Sequence, residues 1–395
     1  MGGPLQHTKV LDLSGAIGAY CGRLLADLGA DVVLVEPPTG HELRHRPPFK
    51  DGASGPDASL AFVAYNVNKR SVTLDVGRPD AEGLLGELAR DADVIVMSPT
   101  KQQPVVGVDR DNLTVSWAPA SALVVSITPF GLTGPYRDYR ATPFTSFAMG
   151  GVMHRSGPSD SPYATPDQHP WDETALLATA STIAALRTRD RTGGQLLDIS
   201  VHELQGARDF AFERSDFEDF KLDARVAGYG IPPGGQWECA DGPLDIACHQ
   251  LHHWDAFLRM VDHPDELSEE SLADPMLRRE IFDGLSEIIG GMLAQRSRLD
   301  LFRIGQSEGL PCSPLNTPGE FVADIQVEAR GIFSTIDQPG LGTVTVPWQP
   351  FHSTPTMIEL RTPAPRLGEH NQQIYGDALG HSPAELEKWS RDGLV

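Results

Sequence analysis

The stretch Trp171–Ser200 reads WDETALLATASTIAALRTRDRTGGQLLDIS and joins an acidic start, an apolar run, a glycine pair and a second apolar run. Alanine and leucine, which favour helices, dominate Ala175–Leu186 and predict a closely packed helix. The acidic start predicts Asp172 as the N-cap of that helix, an interaction of about 1 kcal/mol. The glycine pair that begins at Gly193 follows basic residues and predicts the helix end. Leu196–Val201 then predicts a buried strand.

A second organising pattern lies near the amino terminus. Lys9–Leu13 and Asp31–Val35 predict strands, and Tyr20–Leu28 predicts the helix between them. Such a unit places its strands in parallel, because the connection crosses over the sheet. The loop after the first strand lacks the G-x-G-x-x-G fingerprint, so we predict an α/β, Rossmann-like domain without a bound dinucleotide.

The composition is that of a globular protein with a large excess of acidic residues. The 395 residues carry a formal net charge of −22, which argues against nucleic acid or an anionic membrane as a partner. The four cysteines are scattered, which argues against a disulfide framework. The chain begins without a signal-peptide pattern, and no apolar run approaches the length of a membrane span, so we expect a cytoplasmic protein.

A histidine-rich segment is the candidate for a metal site. Cys248, His249, His252 and His253 include the i, i+4 spacing of some helical metal sites. No carboxylate completes the set, so we predict no metal.

Two other segments carry candidate functional side chains. Residues 66–75, NVNKRSVTLD, place Lys69 and Arg70 ahead of an alternating pattern, and the pattern alone favours a solvated basic pair before a strand. Further along, Gly228, Gly230 and Gly234 belong to a glycine-rich segment that predicts a flexible loop.

Several segments together resemble one enzyme family. IAALRTRDRTGGQLLDIS resembles the signature of the family III CoA-transferases, and three other segments resemble the family in the same order: DLSGAIGAYCGRLLADLGADVVLVEPP, NVNKRSVTLD and APRLGEHNQQIYGDALG. The resemblance covers essentially the whole chain. It implies a large Rossmann-like CoA-binding domain made of residues 1–224 and 326–395, a smaller inserted α+β domain at 225–325, and an interlocked dimer.

The resemblance also implies the site residues. The family's catalytic aspartate lies at the start of the helix before the signature, and Asp172 is the nearest match; Asp167 and His169 are weaker candidates. Gly234, Gly235 and Gln236 match the mobile glycine loop that covers the active site in the family. The side chains matched to CoA binding are Arg44, Asn68, Lys69, Arg70, Ser71 and Arg140.

The implied reaction moves CoA from an acyl-CoA donor to a small free carboxylic acid through an aspartyl mixed anhydride and an enzyme–CoA thioester. Coenzyme A is then a substrate, and no cofactor is bound permanently. The implied assembly is a homodimer, with a heterodimer with a homologous subunit as the alternative, and with neither nucleic acid nor a membrane as a partner.

Three departures from the family pattern leave alternatives open. Met97–Gln102 replaces the family's ENFRPG segment, which supports CoA, and Asp172 lies one or two residues closer to Leu186 than the family's aspartate does. Both differences favour an alternative in which the chain is a catalytically silent subunit beside an active homologue. Thr142–Phe144 stands where racemases of the superfamily carry a histidine, so an acyl-CoA racemase or isomerase ranks third.

Overall fold

The computed structural model describes residues 3–151, 153, 163, 168–208, 231–248, 250–348 and 350–395. This part of the chain divides into two compact units. The first contains the described residues of 3–153, 168–208 and 328–395, and the second contains residue 163 and 231–327.

The strands of the described part are, in chain order, β1 (Lys9–Leu13), β2 (Asp31–Glu36), β3 (Lys69–Thr73), β4 (Val94–Met97), β5 (Val108–Asp109), β6 (Thr114–Val115), β7 (Leu123–Thr128), β8 (Leu196–Ser200), β9 (Gly235–Cys239), β10 (Gly242–Ile246), β11 (Cys312–Pro314), β12 (Phe333–Gln338) and β13 (Gly342–Pro347).

The α-helices are α1 (Ala19–Asp27), α2 (Leu60–Asn66), α3 (Glu82–Ala89), α4 (Pro143–Met149), α5 (His169–Thr192), α6 (Val201–Arg208), α7 (Leu251–Met260), α8 (Pro275–Glu280), α9 (Phe282–Leu293), α10 (Arg298–Glu308), α11 (Pro318–Val322), α12 (Ile325–Arg330) and α13 (Pro383–Arg391). A π-helix spans Gln372–Ala378.

A six-stranded parallel sheet forms the centre of the first unit, in the order β3-β2-β1-β4-β7-β8. The chain moves outward from β1 to β3 on one side, and then returns to β4 on the other side of β1. This is the doubly wound arrangement, whose order reverses between β1 and β4. The predicted α/β class with a parallel sheet is confirmed.

Both faces of this sheet are covered, which explains the continuous apolar runs in its strands. Every residue of β4 is buried. Val94 and Val96 belong to the core cluster that includes α1 and α5, whereas Ile95 and Met97 belong to the cluster on the other face. The alternation follows from the two-residue period of a strand.

The signature helix α5 begins earlier and ends later than the apolar run predicts. It starts at His169, because Pro170 is well tolerated in the first turn of a helix. Asp172 is therefore the fourth helical residue, and its N–H donates to the Gln168 carbonyl at 2.9 Å. The N-cap prediction for Asp172 is wrong, whereas the predicted end at Gly193, with φ of 72°, is confirmed.

The second unit has its own sheet and core. Its three strands are antiparallel, in the order β11-β10-β9. Helices α7, α9 and α10 supply Phe257, Ile289 and Leu301 to a core cluster that also contains Leu244 and Ile246 of β10. Each unit therefore buries apolar side chains of its own.

Candidate active site

Asp172 lies in the first turn of α5, where the positive end of the helix dipole favours a carboxylate. Its side chain is partly buried and faces Tyr65 at the end of α2. The Tyr65 hydroxyl donates a hydrogen bond to Asp172 Oδ2 at 2.8 Å. A hydrogen bond to a charged acceptor is among the stronger ones in proteins, so this contact orients the carboxylate.

Two phenols share the environment of Asp172. The rings of Tyr20 and Tyr65 pack edge to face, with centroids 5.9 Å apart. Burial raises the pKa of Tyr65, and the charge of Asp172 and the hydrogen bond to it raise it further. Burial and then the charge of Asp172 also raise the pKa of Tyr20. Both phenols therefore keep their protons at neutral pH, and the Tyr65 hydroxyl donates to Asp172.

Asp172, Tyr20 and Tyr65 line a pocket of about 300 Å³, here named the Asp172 pocket. Its described wall is completed by residues of α1, α2 and the β12–β13 hairpin with the segments beside it: Arg23, Leu24, Asp27, Ala64, Ile332, Pro347, Trp348 and Pro350. The volume is at the lower end for small-molecule sites. It suits one small organic group.

Arg23 forms one side of this pocket and is 2 % exposed. Its Nε donates to Asp27 Oδ2 at 2.6 Å, and its two terminal nitrogens donate to the carbonyls of Ala64, at 2.6 Å, and Pro347, at 3.3 Å. The guanidinium thus connects α1 with the end of α2 and the β12–β13 hairpin. Its charge is balanced by Asp27.

A larger pocket of about 500 Å³ lies at the carboxyl ends of β1, β4 and β7, and is here named the switch-point crevice. Ile17, Ser98 and Pro129, which follow those three strands, line it together with Arg140 and Trp171. Ligands of doubly wound sheets bind outside the carboxyl ends of the strands at the point where the strand order reverses. The crevice is therefore the place where this fold would hold a nucleotide-like ligand.

Trp171 and Asp172 face different pockets although they are adjacent in the sequence. Successive residues of an α-helix point about 100° apart. Trp171 lines the switch-point crevice, whereas Asp172 lines the Asp172 pocket. The structure does not bring Asp172 and Arg140, two predicted site residues, into one pocket.

Arg44, a predicted CoA-binding cation, is 1 % exposed. It forms two hydrogen bonds to the Glu36 carboxylate, at 2.6 and 2.7 Å, and another to Asp57 at 2.7 Å. The guanidinium carbon lies 3.6 Å from the centroid of the Phe62 ring. These contacts connect the end of β2 with the segment before α2, so Arg44 supports the fold.

Lys69 is a buried cation as well, not half of a solvated basic pair. Its ammonium group donates to Asp12 Oδ2 at 2.9 Å, to Asn66 Oδ1 at 2.9 Å and to the Ala19 carbonyl at 3.0 Å. An ammonium group has three donors, and all three are used inside the chain. Lys69 therefore has no donor left for a phosphate in this structure.

Asn68 adopts a φ of 65°, which asparagine tolerates better than most residues. Its Nδ2 donates to Asp27 at 2.7 Å, and its Oδ1 accepts from the backbone N–H of Arg361 at 2.6 Å. The side chain thereby attaches the carboxyl-terminal segment to α1.

Arg70 and Ser71 lie within β3, so Lys69 and Arg70 belong to the strand that the pattern placed after them. The Ser71 hydroxyl donates to Glu36. Arg70 pairs with Asp31 at 2.7 Å and lines a small pocket with Lys9, near the amino ends of β1 and β2. That is the opposite edge of the sheet from the switch-point crevice. Of the six predicted CoA-binding residues, Arg140 lines the crevice and is exposed.

Comparison with known proteins supplies the family. The model of CoA-transferase family III matches residues 5–371. The chain belongs to this family.

Relatives in the family support CoA transfer as the general activity. Succinyl-CoA:(R)-benzylsuccinate CoA-transferase subunit BbsE of Thauera aromatica is 28% identical, over 100% of this chain and 99% of the relative. Succinyl-CoA:mesaconate CoA-transferase of Haloarcula hispanica is 30% identical, over 95% of this chain and 96% of the relative. The crystal structure of a CAIB/BAIF family protein from Brucella suis superposes with a TM-score of 0.81 at 27% identity, covering 95% and 100% of the two chains.

The residues matched to the family's glycine loop lie in the second unit. Gly234 and Gly235 are buried, and Gln236 is exposed in β9 opposite Asp245. Gly235 has φ of 134°, a conformation that favours glycine. Asp167, Gly228 and Gly230 lie outside the described residues.

The described residues hold no group of three or more His, Cys, Asp or Glu side chains that could bind a metal ion; His249 is not among them. Within the same ranges, no helix has the length and apolar character needed to cross a membrane.

Tyr65, Tyr20 and Trp171 are the site residues that the sequence did not indicate. Tyr65 and Asp172 are 107 positions apart. Neither tyrosine stands in a motif with the aspartate, so no local signal pairs them. Trp171 could have been noticed, because it is adjacent to Asp172 in the sequence and adjacent residues of a helix point in different directions.

Proposed function

We propose that this chain transfers CoA from an acyl-CoA to a free carboxylic acid and that Asp172 is the nucleophile. The observation that carries the proposal is the position of Asp172, in the first turn of α5, on the wall of a pocket and oriented by Tyr65. A carboxylate nucleophile suits a reaction whose acceptor is itself a carboxylate.

The reaction proceeds by exchange at two carbonyl carbons. An Asp172 oxygen attacks the thioester carbonyl and the C–S bond breaks. CoA leaves as a thiolate, and the acyl group stays on Asp172 as a mixed anhydride. The thiolate attacks the aspartyl carbonyl, so the donor acid leaves and an enzyme–CoA thioester remains. The acceptor carboxylate repeats these steps in reverse order, which releases its CoA ester and the free Asp172 carboxylate.

Tyr65 supports both states of the aspartate. Because its pKa is raised, the phenol stays protonated and donates to the carboxylate before attack. The same donor stabilises an oxygen of the aspartyl group when negative charge develops on it during the exchange.

Intact-protein mass after incubation with a series of acyl-CoAs tests the proposal. We expect an acyl or CoA adduct on the wild type and none on Asp172→Asn, which keeps the size of the side chain. Glu173→Gln is the matched control, because Glu173 is the adjacent acid and accepts from Gln205 Nε2 at 3.1 Å; this variant should keep the adduct. Normal turnover by Asp172→Asn would contradict the assignment.

A second candidate is a catalytically silent subunit that supports an active homologue. The observation that favours it is Trp171, which lies one residue farther from Leu186 than Asp172 and so stands at a position that the family's spacing implies for the aspartate. Its indole has no acid or base chemistry, and it lines the switch-point crevice together with Arg140. The relative from Thauera aromatica is itself named as a subunit. This candidate predicts binding of CoA without an adduct on Asp172, and an adduct on a partner chain when the two are purified together.

A further inference from the structure

We infer that the Asp172 pocket takes an uncharged, mainly apolar acyl group, and that the substrates are the corresponding monocarboxylic acids. This inference rests on the proposed function, because it assigns the substrate class of the same site. It concerns the acyl group alone, because a pocket of about 300 Å³ is too small to enclose the CoA moiety as well.

The wall of the pocket is made mostly of carbon. Leu24 of α1 and Ile332 before β12 contribute aliphatic groups, and Trp348 after β13 contributes an indole. The rings of Tyr20 and Tyr65 contribute further apolar area, and aromatic walls favour edge and face contacts with flat or branched groups. Burial of an acyl chain against this wall stabilises the complex by the hydrophobic effect.

The charges of the pocket disfavour a second carboxylate. Arg23 is the only cation among its described lining residues, and three protein oxygens already accept hydrogen bonds from it. Asp27 neutralises its charge at 2.6 Å. When Asp172 is acylated it becomes neutral and Arg23 remains paired with Asp27, so the described lining offers a terminal carboxylate no unpaired positive charge. Burying that charge without a partner is strongly unfavourable.

The substrates named for the relatives above, succinate, benzylsuccinate and mesaconate, are dicarboxylic acids. This chain should therefore differ from them in substrate class. The difference follows from the pocket charges, not from its size, since a volume of about 300 Å³ does not exclude a four-carbon diacid.

A matched pair of donors tests the inference. Butyryl-CoA and succinyl-CoA have acyl chains of equal length and differ in one terminal carboxylate. With the purified full-length chain, we expect kcat/KM for adduct formation to be at least about tenfold higher with butyryl-CoA, with 3-phenylpropionyl-CoA as good as butyryl-CoA or better. An equal or higher value for succinyl-CoA overturns the inference.

Pocket variants locate the effect. Leu24→Trp fills the pocket from a half-buried position and should lower kcat/KM for the phenylpropionyl donor more than for the butyryl donor. Trp348→Ala enlarges the pocket from the other side, so it should lower kcat/KM for the phenylpropionyl donor less than for the butyryl donor. Circular dichroism confirms folding of each variant, and unchanged donor preference in both folded variants overturns the inference.

Binding separates this inference from the proposed function. If no donor forms an adduct, the function proposal fails, and calorimetry with 3-phenylpropanoate and succinate still measures the pocket. Tighter binding of phenylpropanoate, weakened at least about fivefold by Leu24→Trp, supports an apolar acid site. Tighter binding of succinate, or no effect of Leu24→Trp, overturns it.

Discussion

The Tyr65 hydroxyl contacts the proposed nucleophile directly, through its 2.8 Å hydrogen bond to Asp172. Tyr65→Phe keeps the ring and removes this donor. A hydrogen bond to a charged group contributes about 1.5–3 kcal/mol, so we expect kcat to fall roughly tenfold to a hundredfold while KM for the acyl-CoA changes little. Steady-state kinetics at pH 7 measures both.

Tyr20→Phe is the matched control for that experiment, since Tyr20 lines the same pocket and packs against Tyr65. It should lower kcat much less. Equal losses in the two variants would show that the ring packing matters and the Tyr65 donor does not.

The same residue gives a pH dependence with a definite sign. The pKa of Tyr65 is raised in the folded state by burial and by Asp172, from an ordinary value near 10.0. The folded protein then keeps a proton that the unfolded chain releases, so this contribution to stability is complete below pH 10 and is lost as the pH rises above it. Urea unfolding at pH 8 and pH 10.5 should show a smaller loss for Tyr65→Phe than for the wild type.

Strand β3 carries two adjacent cations, Lys69 and Arg70, and each forms an ion pair with a residue of another strand. Lys69 forms an ion pair with Asp12 of β1 at 2.9 Å, and both side chains are fully buried. Arg70 pairs instead with Asp31 of β2 at 2.7 Å, and their side chains are 32 % and 50 % exposed. Removing one partner of a buried pair leaves an uncompensated charge, so Lys69→Ala should lower the free energy of unfolding by about 3–5 kcal/mol.

Arg70→Ala is the control for Lys69→Ala, and it should change the free energy of unfolding by about 1 kcal/mol or less. Chemical denaturation at low and high salt measures both variants, and salt should reduce only the Arg70 effect. A stable Lys69→Ala protein with weakened CoA binding would instead favour the sequence-based prediction that Lys69 binds CoA.

At the scale of the whole molecule, self-association is the property to measure. In the first unit, α5 exposes Leu176 and Leu177 at 49 % and 42 %, and α4 exposes Phe144 at 59 %. Helices α4 and α5 pack against each other, and large apolar side chains exposed on neighbouring helices commonly mark an interface. We propose an interlocked homodimer, and native mass spectrometry of the chain purified alone should show a dimer.

The silent-subunit candidate predicts a different result. A chain that needs a homologous partner should be poorly soluble alone and become soluble when the partner is co-expressed, because its interface would otherwise remain open. A monodisperse monomer that binds CoA and forms no heterodimer would contradict both assemblies.

The sequence by itself determined the parallel α/β class and the family, because both depend on local order. The period of apolar residues predicts strands and helices. Gly193 ends its helix through its own backbone conformation, which does not depend on distant contacts. Several family segments in the correct order then identify the family without any contact being known.

Only the tertiary structure decided what each charged side chain touches. Lys69 contacts Asp12, which lies 57 positions away in the sequence, and Asp172 contacts Tyr65, which lies 107 positions away. Helix α5 begins at His169, so Trp171 and Asp172 are both helical residues, and Trp171 lines the switch-point crevice whereas Asp172 lines its own pocket. A side chain's direction on a helix depends on where the helix begins and how it packs, and residue patterns along the chain do not contain that information.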